Sequence, residues 1–183
     1  MQRSLISVGI VLLIGGMGVW YSSQQASHAV GVVSRSRDVQ GTSTTPSASL
    51  VDSNTFTDDS LGFSFVIPPG FHAQKTLDDS GETVLVQSAD ESHGFQVYIT
   101  PFTDPASSVT KARIQSEAKL TVANDSSITV AGAAQGLQFD STADTPPTRQ
   151  VWFVYNGYLY QASTWASDAN LLQTILASWH FNS

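Results

Sequence analysis

Three groupings of side chains between residues 55 and 183 carry chemistry worth weighing: scattered histidines, paired acids and a set of aromatic rings. His72, His93 and His180 supply imidazoles, the usual bases and transition-metal ligands. Their spacing matches neither His-x-His nor the His-Glu-x-x-His pair on a helix, so local geometry gathers no two of them on one ion. His72 and His93 stand beside turn residues and read as solvated surface side chains. Asp58-Asp59, Asp78-Asp79 and Asp90-Glu91 are adjacent carboxylates, the raw material of acid–base work or of weak Ca²⁺ binding. Neighbours on a strand point to opposite faces, which defeats both uses, and no Asp-x-Asp-x-Asp-Gly loop occurs. They read as the polar ends of turns. Ser, His and Asp are all present, yet there is no Gly-x-Ser-x-Gly elbow and no glycine-rich phosphate loop. The absence of cysteine removes a thiol nucleophile, thiolate metal ligands, disulfides and an acylated cysteine. The expectation is no catalytic residue, no metal ligand and no cofactor. Aromatics at strand spacing belong mostly to a core, and Trp152 and Tyr160 are read that way. Tyr155 and Tyr158 near a hairpin tip, with Trp165 where the last helix starts, are the candidate ligand-binding residues, a platform for peptide or carbohydrate.

The elements that must position these groups are short strands separated by turn signals. Gly62–Ile67 alternates aromatics with period two and ends at Pro68-Pro69-Gly70. Thr83–Gln87 and Gly94–Thr100 are two more strands around the acidic turn 88–93. Asp104-Pro105 offers an N-cap with proline in the first helical position, and Val109 through Leu120 a short helix. Ile128–Val130 and Ala134–Phe139 resume as strands before a loop at 141–148. The clearest unit is Gln150–Thr164. Asn156-Gly157 between two apolar runs demands a type I′ hairpin, because both central residues need positive φ. That turn fixes the register: Tyr155 opposes Tyr158, Val154 opposes Leu159, Phe153 opposes Tyr160 and Trp152 opposes Gln161. A hairpin apolar on both faces belongs in the middle of a covered sheet. Ser167 or Asp168 caps a final helix whose Leu171, Leu172, Ile175, Leu176 and Trp179 form one apolar stripe. The predicted class is α+β, one antiparallel sheet of about six or seven strands flanked by two or three helices.

The first quarter of the chain is different in kind. Leu5–Tyr21 runs seventeen residues without an ionisable group after Arg3. As a helix it spans roughly 26 Å, the lower edge of what crosses a bilayer core, and Trp20-Tyr21 suits the headgroup region. Residues 1–21 read as one N-terminal transmembrane helix, an uncleaved signal anchor. The alternative is a signal peptide cleaved near Ala29, after Ser27-His28-Ala29. Either places the remainder outside the cytoplasm. Residues 22–54, rich in Ser and Thr without hydrophobic periodicity, read as a disordered linker. Residues 55–183 form the globular domain, long enough for one core. That domain holds five cations against thirteen acids, a net charge of −8. Nucleic-acid binding needs clustered Lys and Arg, so no nucleic-acid partner is expected, nor direct docking of the domain on anionic lipid.

Gly62-Phe63-Ser64-Phe65-Val66-Ile67-Pro68-Pro69-Gly70-Phe71 resembles the opening strand and turn of PsbP/Mog1-like domains. Val151 to Tyr160 and Leu176 to Phe181 resemble the closing hairpin, helix and short final strand of the same group. The resemblance covers residues 56–181. It implies an antiparallel sheet flanked by helices, and a binding or assembly role; none of the family's binding residues matches a position here. The functional expectation is a membrane-tethered extracytoplasmic binding module, monomeric, whose partners are the membrane through its N-terminal helix and an envelope protein or peptide. The alternative is a hydrolase-type enzyme with a site built from loops.

Overall fold

The computed structural model describes residues 54–104, 108–142 and 145–182. The anchor at 1–21 and the linker at 22–54 lie outside the described residues, apart from Asn54. Among the described residues no helix is long and apolar enough to cross a membrane.

The Asn156-Gly157 hairpin is the centre of the fold. Asn156 and Gly157 take φ of 47° and 79°, as a type I′ turn requires. They join β8 (Thr148–Tyr155) to β9 (Tyr158–Trp165) in the register read from the sequence, Tyr155 to Tyr158 and Trp152 to Gln161. Both strands are internal. The seven-stranded antiparallel sheet runs β3-β4-β5-β9-β8-β7-β6. Its other members are β3 (Phe71–Leu77), β4 (Glu82–Ser88), β5 (Gly94–Pro101), β6 (Ala123–Val130) and β7 (Ala134–Ser141).

A single sheet was expected, and the structure has two. β1 (Thr55–Asp58), β2 (Phe63–Val66) and β10 (His180–Phe181) form a separate three-stranded sheet in the order β1-β2-β10. The reason lies in area. One face of the large sheet presents Val84, Val86, Phe95, Val97, Phe153 and Tyr160, all buried. The nine-residue helix α2 (Ala169–Ala177), about 14 Å long, covers only part of it. Phe63 and Phe65 of β2 cover the rest, and Trp179 lies flat against both, at 4.7 and 5.2 Å between ring centroids. α2 buries Leu172, Ile175 and Leu176 of the stripe predicted for it.

The opposite face is covered by the segment after β5. There Ile114, Leu120 and Val122 pack on Leu137, Phe139 and Trp152. The helix in this segment is shorter than the pattern predicts: α1 (Lys111–Arg113) continues as a π-helical turn over Ile114–Ala118. Its N-cap is Thr110, whose side chain accepts from the Arg113 N–H, rather than Asp104. Asp104 instead pairs with Arg113 at 2.9 Å, and the same guanidinium lies over the Phe102 ring, 4.7 Å from its centroid. Pro105 lies outside the described residues. On this face the join between β5 and β9 is lined by buried polar side chains, Gln96 opposite Ser163 and Tyr98 opposite Gln161.

Candidate functional site

Strand register brings several turns to one end of the large sheet. Pro101 at the end of β5 sits opposite Tyr158, and Leu77 opposite Glu82 closes the β3–β4 turn at the same level. The Phe102 N–H donates to the Gly157 carbonyl at 2.7 Å, tying the hairpin tip to the end of β5. Along β3, Ala73, Lys75 and Leu77 alternate onto the face that carries Val86, Val84 and Glu82. A lysine therefore points toward the core side of an edge strand. Its ammonium bridges two carboxylates, Asp58 at the end of β1 and Glu82 Oε2 at 2.9 Å.

Asp58 is buried and receives further donors, the Ser60 hydroxyl at 2.5 Å and the Leu61 N–H at 2.9 Å. Burial alone would raise its pKa. Hydrogen bonds involving Glu82, Lys75, Ser60 and Leu61 outweigh that and hold Asp58 well below the usual carboxylate range. Glu82 moves the other way: burial and the neighbouring Asp58 push it up, against the pull of Lys75. Lys75 is raised, since its two carboxylates overcome the partial desolvation that opposes its charge. Tyr160 stands in the same cross-sheet row, Glu82 to Ile99 to Tyr160. Burial, with the Asp58 charge second, pushes its hydroxyl well above the ordinary phenol range.

This cluster forms one wall of a cleft of about 390 Å³. Leu61, Leu77, Ile99, Pro101 and Tyr158 give it an apolar lining, and Asp78 and Asp79 stand in the β3–β4 turn beside it. Of the three aromatic candidates, Tyr158 lines the cleft. Tyr155 is its cross-strand partner, but its ring stacks on Phe181 at 3.6 Å and is occupied by that contact. Trp165 pairs with Thr148 at the far end of β9. Seven residue steps along β9 carry it about 23 Å from Tyr158, so the structure does not bring it to the same place.

The paired acids divide. Asp78 and Asp90 are turn formers, Asp78 accepting from the Ser80 and Gly81 N–H groups and Asp90 from the Ser88 and Ser92 hydroxyls. Asp58 is not: reading it as a solvated turn end is corrected by its burial and by its ion pair to a residue seventeen positions away. Sequence reasoning missed Lys75 and Glu82 altogether. The available signal was Lys75 itself, a cation in phase with inward-facing Ala73.

At the opposite end, His93 is more than the free surface side chain expected. Its Nδ1 lies 3.0 Å from Asp168 Oδ1, and the Gly94 N–H lies 3.4 Å from Oδ2. Asp168, expected to cap α2, makes no side-chain capping bond and serves this contact instead. The Asp168 hydrogen bond and charge raise the His93 pKa, with a smaller contribution from Asp90. A raised histidine contributes stability that is complete below the ordinary value of about 6.5 and is lost as pH rises through the folded value. His93→Gln is therefore less stable than the parent in mildly acidic buffer, and the gap narrows as pH rises above neutrality. Thermal melts of both proteins across that range test this, and a gap that widens with pH contradicts it. His72 and His180 are exposed on β3 and β10, in different sheets. Among the described residues no three His, Cys, Asp or Glu side chains are grouped to hold a metal.

No family model matches the chain, and no curated protein matches it. Among solved structures, it is similar to cyanobacterial PsbP (CyanoP) from Synechocystis sp. PCC 6803. The TM-score is 0.47 at 13% identity, over 69% of this chain and 91% of that one. The likeness concerns the fold alone.

Proposed function

We propose that the chain is a binding module, tethered outside the cytoplasm by residues 1–21, whose working surface is the cleft at the turn end of the large sheet. It takes a segment of an envelope protein or peptide and performs no chemistry. The observation that carries this reading is the composition of that cleft. An apolar wall of Leu77, Ile99, Pro101 and Tyr158 adjoins a fixed cluster of ionised groups, the usual make-up of a recognition site.

The hydrolase alternative has one observation in its favour, Ser60 Oγ lying 3.4 Å from Lys75 Nζ. A lysine base must be neutral, which requires a lowered pKa. Lys75 is shifted upward and holds its proton between two acids. The Ser60 hydroxyl already donates to Asp58, whose depressed pKa makes it a poor base. This trio orients and binds rather than attacks.

Site-specific photo-crosslinking tests the reading in the full-length chain in intact membranes. A crosslinker at position 158 is expected to give a discrete adduct, and one at position 167, at the opposite end, none. Adducts of equal yield from both positions, or from neither, contradict it.

A further inference from the structure

We propose that the cleft recognises a cationic group, the guanidinium or ammonium of an arginine or lysine side chain on the partner segment, with Glu82 as the receiving carboxylate. This inference rests on the binding reading above and names its chemistry. Three acids, Asp78, Asp79 and Glu82, line the cleft against the single cation Lys75, and Asp58 lies immediately behind it. The local field therefore favours an incoming positive charge.

A second observation is independent of that count. Glu82 is 6% exposed; Lys75 engages its Oε2, its carboxyl also meets that of Asp58, and its Oε1 is buried without a donor of its own. The Tyr160 hydroxyl, 0% exposed and in the same cross-sheet row, is likewise unpartnered. Buried polar atoms in proteins are nearly always bonded, so Glu82 Oε1, on a residue that lines the cleft, is an acceptor with unused capacity. Glu82 Oε1 can accept from an N–H donor that enters along the apolar wall. Arg and Lys suit the remainder of the cleft as well. Their methylene stems pack on apolar surface such as Leu77, Ile99 and Pro101 while the charged head stays polar. Tyr158, also in the lining, supplies an aromatic ring of the kind that attracts a cation.

The test uses the full-length chain in detergent micelles and a capped Gly-Arg-Gly peptide, followed by titration calorimetry. The same peptide with citrulline, which keeps the shape and removes the charge, is the control on unmodified protein. The arginine peptide should bind saturably, with the citrulline peptide at least tenfold weaker. Glu82→Gln, which keeps the volume, should lower arginine affinity at least tenfold. Equal affinity for the two peptides, no saturable binding, or unchanged affinity in Glu82→Gln overturns the proposal. Crosslinking at position 158 that persists alongside any of those results confines the failure to the charge preference. Loss of that crosslinking removes the binding reading too.

Discussion

Trp179→Ala lowers the unfolding free energy by about 4 kcal/mol, enough to remove most of the stability of a domain this size. Trp179 is 1% exposed and is the hinge pin between the two sheets. It stacks on Phe63 and Phe65 of the small sheet and meets Phe153 and Tyr160 of the large one edge-on, at 5.8 and 6.1 Å. Deleting the indole leaves a cavity that β2 cannot fill without breaking its pairing with β10. The melting temperature should fall by roughly 10–20 °C. Trp179→Phe should cost far less than a usual Trp truncation. Trp179 Nε1 is buried without a partner among the described residues, so phenylalanine removes an unsatisfied donor along with the lost area. Chemical denaturation of the two variants beside the parent decides the matter. Equal losses for Ala and Phe would show that packing between the sheets is not what Trp179 supplies.

Lys75→Met removes the cation that holds Asp58 and Glu82 together. Breaking a buried ion pair from one side costs about 3–5 kcal/mol. Lys75 is 37% exposed at its side chain and Asp58 is fully buried there, so we expect a smaller loss, about 2–3 kcal/mol at neutral pH. The sign of the pH dependence is set by Asp58. Its folded pKa is depressed, so its contribution is present above the unfolded value, near 3.9, and is lost as pH falls through the folded one. Without Lys75 that depression is relieved, and the variant has less to lose in acid. The gap between parent and Lys75→Met should be widest near neutrality and shrink below about pH 4. Asp58→Asn in the Lys75→Met background should recover part of the loss, because the buried charge left behind is then gone. A gap independent of pH, with no recovery in the double variant, would mean the lysine contributes only its hydrocarbon stem.

How much of this was legible in the sequence follows from the range of each signal. Asn156-Gly157 is a local instruction, and it fixed the central hairpin and its register. The stripe of α2 is equally local. The separation of β2 into a second sheet depends on how much of the large sheet α2 leaves uncovered, which no window along the chain reports. β3 escaped notice because Phe71–Leu77 is an edge strand, largely exposed, with too little apolar alternation to stand out. The cleft was harder still. Asp58, Lys75 and Glu82 come from three strands in two sheets and meet only after both have formed. Tyr158 was legible as a candidate because the hairpin tip placed it. Trp165 was grouped with it because both are aromatic, although eight residues of extended strand put them at opposite ends.

The polar lining of the β5–β9 join has a consequence for assembly. Strands β3 to β5 and β6 to β9 are two ribbons, each folded by consecutive hairpins, and they meet along this one line. The entropy of closing a long loop is therefore concentrated in a single docking event. Both ribbons are apolar enough to dock out of register. A slip by one residue would turn either Gln96 or the pair Gln161 and Ser163 inward among Phe65, Phe95 and Trp179, where they would find neither partner nor water. The side chains that contribute least to the core thus act as its alignment marks, rejecting misassembled pairings that hydrophobic burial alone would accept.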